Sequence, residues 1–306
     1  MYNGHKKYAL FIGRWQPFHN GHKYLIDEAL AKGENVCIAV RNTEISSSNP
    51  FTAEQRLEMI QRVYKDKVEI IVIPDIKSIN IGRNVGYDVN IVESPAQIAK
   101  ISGTNVRAGK EDSMPAEVAE YIKLLRTTLW LTGLPCSGKT TLSKRLKDEL
   151  DNRGFKTVHL DADDIRNKLN ADLGFSPEER KENLRRVAHV AKLFNENGSF
   201  VVTSFVSPTN EYRKMIKEII GNFKLVFVKC SPEVCATRDV KGMYKKAKAG
   251  ELKDFTGVSA PFEEPADADV VVDTERLGIE ECVKKILDSI GVYSMEKNIF
   301  YSWGKR

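Results

Sequence analysis

In the middle of the chain, Gly133-Leu134-Pro135-Cys136-Ser137-Gly138-Lys139-Thr140 carries the spacing G-x-x-x-x-G-K-[ST]. Successive backbone N–H groups in such a loop can wrap a polyphosphate, the lysine reaches the β- and γ-phosphates, and the hydroxyl can ligate Mg²⁺. The apolar run Leu129-Trp130-Leu131-Thr132 precedes the loop, and Thr141-Leu142-Ser143-Lys144-Arg145-Leu146 continues it with helical spacing. The segment from Gly133 to Thr141 is therefore expected to bind ATP with Mg²⁺. Cys136 is read as a small side chain tolerated in the loop.

Downstream, Asp161-Ala162-Asp163-Asp164-Ile165-Arg166 puts carboxylates at the end of a second strand, where a kinase of this class needs an acid for Mg²⁺ and for the acceptor hydroxyl. If the strand persists, Asp161 and Asp163 point the same way. Phe175 offers a ring for base stacking, and Arg180 and Asn183 open a long amphipathic helix with Val187, Val190, Ala191 and Phe194 as its core face. A second cluster lies near the start of the chain. In Gly13-Arg14-Trp15-Gln16-Pro17-Phe18-His19-Asn20-Gly21-His22, two imidazoles sit three residues apart across a strand-to-helix turn. Both can face a phosphate held at the helix's positive end.

These groups must be positioned by alternating elements. Strands are expected at 7–13, 35–40, 68–73 and, briefly, 89–92. Helices are expected at 22–31, 52–64 (Thr52 and Gln55 forming a capping box) and 115–125. Residues 78–90, rich in Gly and Asn, read as a functional loop. The second half repeats the alternation, with strands at 128–132, 157–161, 199–206, 224–229 and 269–273. The fold class is α/β with two parallel-sheet domains, placed at 1–126 and 127–293, and a tail at 294–306. A length of 306 residues suits two domains.

The net charge of +5 suits nucleotide and other anionic substrates but makes no nucleic-acid stripe. No apolar run is long enough for a membrane span, and the start of the chain is not a signal peptide. The five scattered cysteines include no C-x-x-C pair, which favours reduced thiols in a cytoplasmic protein. A homo-oligomer is expected.

The N-terminal segment resembles the nucleotidyltransferases with the H-x-G-H signature, most closely the nicotinamide-mononucleotide adenylyltransferases. Asn49-Pro50-Phe51-Thr52-Ala53-Glu54-Gln55-Arg56 is similar to the stretch before their second helix. Ile101-Ser102-Gly103-Thr104-Asn105-Val106-Arg107 is similar to their ISxTxxR motif. The resemblance implies a Rossmann-like domain in which Gly13, Arg14, His19, His22, Ser102, Thr104 and Arg107 bind an NTP. His19, His22 and Arg107 would stabilise the phosphates during direct attack by an anionic acceptor, with release of pyrophosphate. The stretch between Asn80 and Ile101 is too short for the family's nicotinamide pocket. The domain is closer in size to the small cytidylyltransferases, and ATP and CTP both stay open.

The second half resembles adenylylsulfate (APS) kinase, a P-loop kinase. Beyond the phosphate loop it shares Asp-x-Asp-x-x-Arg, the GFS segment, Ser204-Phe205-Val206-Ser207-Pro208, and a long basic run from Arg238 through Lys241-Gly242 to Gly250 and Phe255-Thr256-Gly257. By that resemblance Asp163 is the acceptor-side carboxylate and Asp161, with Thr140, supports the metal. Arg166, Arg180, Asn183, Val206, Ser207 and Lys241 would bind the acceptor nucleotide, and Phe175 and Phe255 would sandwich its base. The family has glycine where this chain has Ala162. The run from Lys241 to Phe255 would be a lid that closes over both substrates. A bifunctional enzyme is implied, in which the first domain makes a nucleotide anhydride and the second phosphorylates it. Adenylyl sulfate is the leading acceptor, and another anhydride, such as a cytidine diphosphoramidate-like product for glycan modification, is the alternative. A nucleotide sensor without catalysis is a further class.

Overall fold

The computed structural model describes residues 6–80, 88–107, 113–252 and 254–292. The chain divides into two compact units, the first reaching Ile122 and the second starting at Lys123.

The first unit holds three parallel strands, β1 (Tyr8–Gly13), β2 (Asn35–Asn42) and β3 (Glu69–Pro74), in the order β1-β2-β3. Ile38, Ala39 and Val40 of the middle strand are buried in succession, as expected of a parallel strand covered on both faces. Helices α1 (Asn20–Ala31) and α2 (Ala53–Tyr64) connect the strands. The Thr52–Gln55 capping box opens α2: Gln55 N–H donates to Thr52 Oγ1 at 3.2 Å, and Thr52 N–H donates to Gln55 Oε1 at 3.0 Å. Helix α1 begins two residues before the expected start, because His19 caps it. Short helices α3 (Ala96–Ala99) and α4 (Gly103–Arg107) follow, then α5 (Ala116–Leu124). The expected strand at 89–92 does not form. Val89 and Ile91 are 64% and 90% exposed, and among the described residues no strand pairs with this segment. Within the expected loop at 78–90, residues 81–87 lie outside the described residues, as does the tail at 294–306.

The second unit is a five-stranded parallel sheet: β4 (Thr128–Thr132), β5 (Thr157–Asp161), β6 (Phe200–Ser204), β7 (Phe223–Lys229) and β8 (Val270–Asp273), in the order β5-β6-β4-β7-β8. Every residue of the central strand β4 is buried. Around the sheet run α6 (Lys139–Asn152), α7 (Ala162–Asn167), α8 (Pro177–Glu196), α9 (Asn210–Ile220), α10 (Pro232–Thr237), α11 (Met243–Lys248) and α12 (Ile279–Ser289). Helix α8 starts on a capping box, Ser176 with Glu179, and has Pro177 at its first turn, where a missing N–H costs nothing. Its buried stripe is Leu184, Val187, Ala188 and Ala191. That stripe is rotated from the expected one, leaving Phe194 at 37% exposure. Strand β6 is shorter than the expected 199–206, because Val206 and Ser207 leave the ladder to turn over the end of β4.

Trp130 anchors this core. It is fully buried, stacks on Phe205 with ring centroids 5.2 Å apart, and donates its indole N–H to Ser207 Oγ at 3.0 Å. Trp130→Ala is expected to destabilise the second unit by about 3–5 kcal/mol, read from urea unfolding.

Candidate active sites

In the second unit, the chain leaves the C-terminal end of β4 into the phosphate loop, at a point where strand order reverses and ligands of open parallel sheets collect. Gly133 has φ +151°, and a Cβ there would lie 2.4 Å from Val228 O, so only glycine lets the loop turn so close to β7. Lys139, buried, donates to Gly133 O at 3.0 Å and to Leu134 O at 2.7 Å. Burial pushes its pKa down to about 8. Cys136 lies on the left-handed side of backbone space at φ +62°, with its S–H directed to Asp239 Oδ1 at 3.9 Å. Burial raises its thiol pKa, which suits an inert side chain. Pro135 and Gly138 are partly exposed within the loop, Ser137 is buried, and Thr140 and Thr141 face solvent at its exit.

Asp161 ends β5, as the expected strand at 157–161 does, and caps α7, so the condition under which Asp161 and Asp163 would point the same way is not met. One oxygen of Asp161, Oδ1, accepts the Asp163 N–H at 3.0 Å. The other, Oδ2, accepts Thr140 Oγ1–H at 2.9 Å and Ser204 Oγ–H at 2.7 Å. Burial alone would raise this carboxyl's pKa, but the three hydrogen bonds together hold it below its ordinary value. Asp163 instead sits in the first turn of α7 and forms an ion pair with Lys241. Ala162 packs its methyl toward the buried cluster around Trp130 and Leu160.

On the acceptor side, Arg166 donates to Gly174 O at 2.7 Å and lies over the Phe175 ring at 4.5 Å, while Arg180 lies at 5.9 Å from it. Arg180 is the bridge of this region. It donates to Phe175 O at 2.7 Å and to Asp254 O at 2.8 Å, joining the start of α8 to the segment that carries Phe255. Two expected acceptor residues are turned elsewhere. Asn183 is 3% exposed, with Oδ1 accepting from Asn170 Nδ2 at 2.9 Å. Ser207 is 1% exposed, and its hydroxyl accepts from Trp130 and donates to Thr132 Oγ1 at 3.0 Å. The Ser207 hydroxyl is thus engaged with the core and shapes its loop. Val206 contributes its carbonyl, which accepts from Thr132 Oγ1 at 2.6 Å. Ser204 lies in the Ser204–Pro208 stretch but was given no role from it; its contact with Asp161 follows from β6 ending at this residue.

In the first unit, the three sequence motifs meet at Gln16. Its side chain exchanges hydrogen bonds with Phe51, donating to the carbonyl at 2.7 Å and accepting the N–H at 3.1 Å. Its backbone carbonyl accepts from Arg107, which also donates to Thr104 Oγ1 at 3.2 Å. A Cβ on Gly103 would lie 2.6 Å from that same carbonyl, and a Cβ on Gly13 would strike the Trp15 ring at 2.7 Å. Arg14 reaches Asn49 Oδ1 at 3.5 Å, and its carbonyl accepts from the fully buried Arg56 at 2.6 Å. Ser102 Oγ accepts the Asn105 N–H at 3.2 Å, so this hydroxyl serves its own short helix. Neither Gln16 nor Arg56 was marked by spacing.

His19 and His22 stack at 3.6 Å between ring centroids. Each Nδ1 accepts the other residue's backbone N–H at 3.4 Å, a capping box built from two imidazoles. With Nδ1 accepting, the neutral tautomer carries its proton on Nε2, which leaves one N–H donor per ring for a ligand oxygen. Burial drives His19 to about 4; burial and then the charge of His19 drive His22 to about 3.

The second unit thus has the arrangement of a P-loop kinase, with a phosphate loop after the central strand and a hydrogen-bonded acid after the next. Residues 125–273 match the adenylylsulphate kinase family, and residues 10–168 match the cytidylyltransferase-like family. The shared stretch packs in the second unit. The chain is 47% identical to the adenylyl-sulfate kinase of Bacillus pumilus over 164 residues, covering 53% of this chain and 83% of that one. It is 48% identical to the adenylyl-sulfate kinase of Staphylococcus carnosus over 161 residues, covering 52% and 81%. Among solved structures, the Mycobacterium tuberculosis APS kinase in complex with AMPPNP and APS superposes with a TM-score of 0.52 at 37% identity, covering 54% and 96%. The chain belongs to the adenylyl-sulfate kinase family through its second unit and to the cytidylyltransferase-like family through its first. It is an enzyme, a kinase fused to a nucleotidyltransferase-like domain. Among the described residues, no helix is long and apolar enough to cross a membrane.

The histidine pair makes the first unit sensitive to acid. Both folded pKa values lie below the ordinary 6.5, so between about pH 6.5 and 4 the unfolded chain binds more protons than the folded one. Stability is therefore lost as pH falls through that window. Hydrogen exchange of the α1 amides is expected to speed up between pH 7 and 5 beyond its intrinsic pH dependence, and His22→Gln is expected to flatten that response.

Proposed function

We propose that the second unit transfers the γ-phosphate of ATP to the 3′-hydroxyl of adenylyl sulfate, giving ADP and 3′-phosphoadenylyl sulfate. We further propose that the first unit transfers a nucleotidyl group from an NTP to an anionic acceptor, releasing pyrophosphate. The observation that carries the kinase reading is the convergence of Lys139, Thr140, Asp161 and Asp163 at one end of the sheet, in a unit nearly half identical to adenylyl-sulfate kinases.

In this reading Lys139 leaves the two loop carbonyls for the β- and γ-phosphates, and the amides of 133–141 wrap them. The Asp163 carboxylate accepts the proton of the attacking hydroxyl, which requires its ion pair with Lys241 to open. Lys241 is then free for the acceptor's anhydride. Arg166 and Arg180 supply further charge beside Phe175, and Phe255 closes on the base. Thr140 and Asp161 offer a hydroxyl and a carboxylate oxygen, the hard donors that Mg²⁺ prefers. Among the described residues no group of three or more His, Cys, Asp or Glu forms an all-protein cage. That fits a cation shared with substrate phosphates, whose charge it neutralises when bound.

In the first unit the Nε2–H groups of His19 and His22, with Arg107, face the triphosphate as an NTP's α-phosphorus is attacked. The acceptor oxygen forms the new P–O bond as the pyrophosphate oxygen leaves. The cytidylyltransferase-like match favours a second reading of the kinase acceptor, in which it is another nucleoside diphosphate-type anhydride made by the first unit.

ADP release with APS, and with a CDP-type anhydride in its place, separates the two acceptor readings; ADP formed only with the latter removes the sulfate assignment. Lys139→Ala is expected to lower kinase turnover by orders of magnitude, through loss of a charge acting on the transferring group. His22→Ala is expected to abolish most pyrophosphate release and to leave ADP formation within about twofold, since the residues of each site lie in separate cores.

A further inference from the structure

Tyr244 belongs to neither set of substrate residues, yet it touches the segments that hold both. It lies in α11 and is 2% exposed, in one buried cluster with Leu134 of the phosphate loop, and Phe255 packs against that cluster. Its hydroxyl donates to Pro135 O at 3.0 Å, inside the loop. Its ring meets Phe255 edge-on, with centroids 5.0 Å apart and planes at 79°. Its backbone N–H donates to Asp239 Oδ2 at 2.6 Å, and the other oxygen of that carboxylate receives the Cys136 S–H. Lys241, just before α11, pairs with Asp163.

We infer that Tyr244 couples the two substrates of the kinase site: its hydroxyl transmits occupancy of the phosphate loop to Phe255, so nucleotide and acceptor bind more tightly together than alone. The inference rests on the reading of Phe255 as part of the acceptor pocket. Its physical basis is a shared ordering cost. A polyphosphate fixes the backbone of the loop, and the hydroxyl–carbonyl bond passes that order to α11. The edge-on ring contact passes it to Phe255. The acceptor then meets a pocket wall already in place, and less of the ordering remains for it to supply. The effect is reciprocal, because coupling in binding free energy is the same from either side. Burial holds the phenol protonated, so it stays a donor. Replacing tyrosine by phenylalanine cuts the bond to the loop and keeps the ring against Phe255, which makes Tyr244 a positioning residue that one atom can test.

Calorimetric titration of APS into the full chain, with and without saturating AMPPNP, reads the coupling. In the wild type the nucleotide is expected to tighten APS binding about five- to tenfold, and in Tyr244→Phe by less than about twofold. Each ligand measured alone should keep its affinity within about threefold, a pattern that a general loss of structure would not give. Hydrogen exchange of the wild type supplies a test free of any variant: AMPPNP alone should protect the amides of residues 254–260. Equal coupling in both proteins, absence of coupling in the wild type, or no protection by AMPPNP alone overturns the inference. If AMPPNP binds the wild type and APS does not bind in either state, the acceptor assignment itself falls and takes the inference with it.

Discussion

The kinase site depends on a single carboxylate. Asp161 accepts hydrogen bonds from the end of the phosphate loop, from the end of β6 and from the first turn of α7. Each donor comes from a different segment, and those segments meet only because parallel strands bring their C-terminal ends to one edge of the sheet. Burial of an aspartate with no partners in this half-buried place would raise its pKa. Three donors reverse that tendency, so the same contacts that fix the loop also hold the carboxyl's pKa below its ordinary value. Position and protonation state have one cause here.

The first unit solves a similar problem with a neutral hub. Gln16 has one donor and one acceptor engaged with Phe51, while its backbone carbonyl takes Arg107. A carboxylate in this place would add a negative charge beside Arg107. An amide joins the segments without adding charge. The glycine at position 103 follows from the same geometry, since any side chain would push the arginine-bearing helix off that carbonyl.

Much of this was legible in the sequence, and the failures share a reason. The phosphate loop, the strands around it and the capping box of α2 rest on local rules, in which neighbouring residues satisfy each other's backbone groups. Strand β6 stops two residues before its expected end, while β4 and β5 followed from the same rules. Ser204, Gln16 and Arg56 did not, because their roles come from partners dozens of residues away. Ser207 misled for the same reason: its type suits chemistry, but Trp130 and Thr132 claim its hydroxyl from across the sheet. The run at 89–92 has strand-forming side chains, yet a strand needs a neighbour to pair with, and local composition does not provide one.

Both sites also keep their cations in reserve. Lys139 is folded onto two carbonyls of its own loop with its pKa depressed, and the two histidines are neutral at pH 7. A fully charged, well-solvated cluster would bind phosphate tightly in the ground state and gain little more as charge moves during reaction. Groups whose positive form is destabilised by burial respond differently. In the proposed reactions an incoming polyphosphate would supply the missing counter-charge, drawing Lys139 off its carbonyls. For the histidines the capping box adds a geometric condition. Since each Nδ1 is committed to a backbone N–H, a proton gained on anion binding must displace that bond, so full protonation would loosen the first turn of α1. Donation from neutral Nε2–H avoids that cost and leaves the first turn of α1 intact.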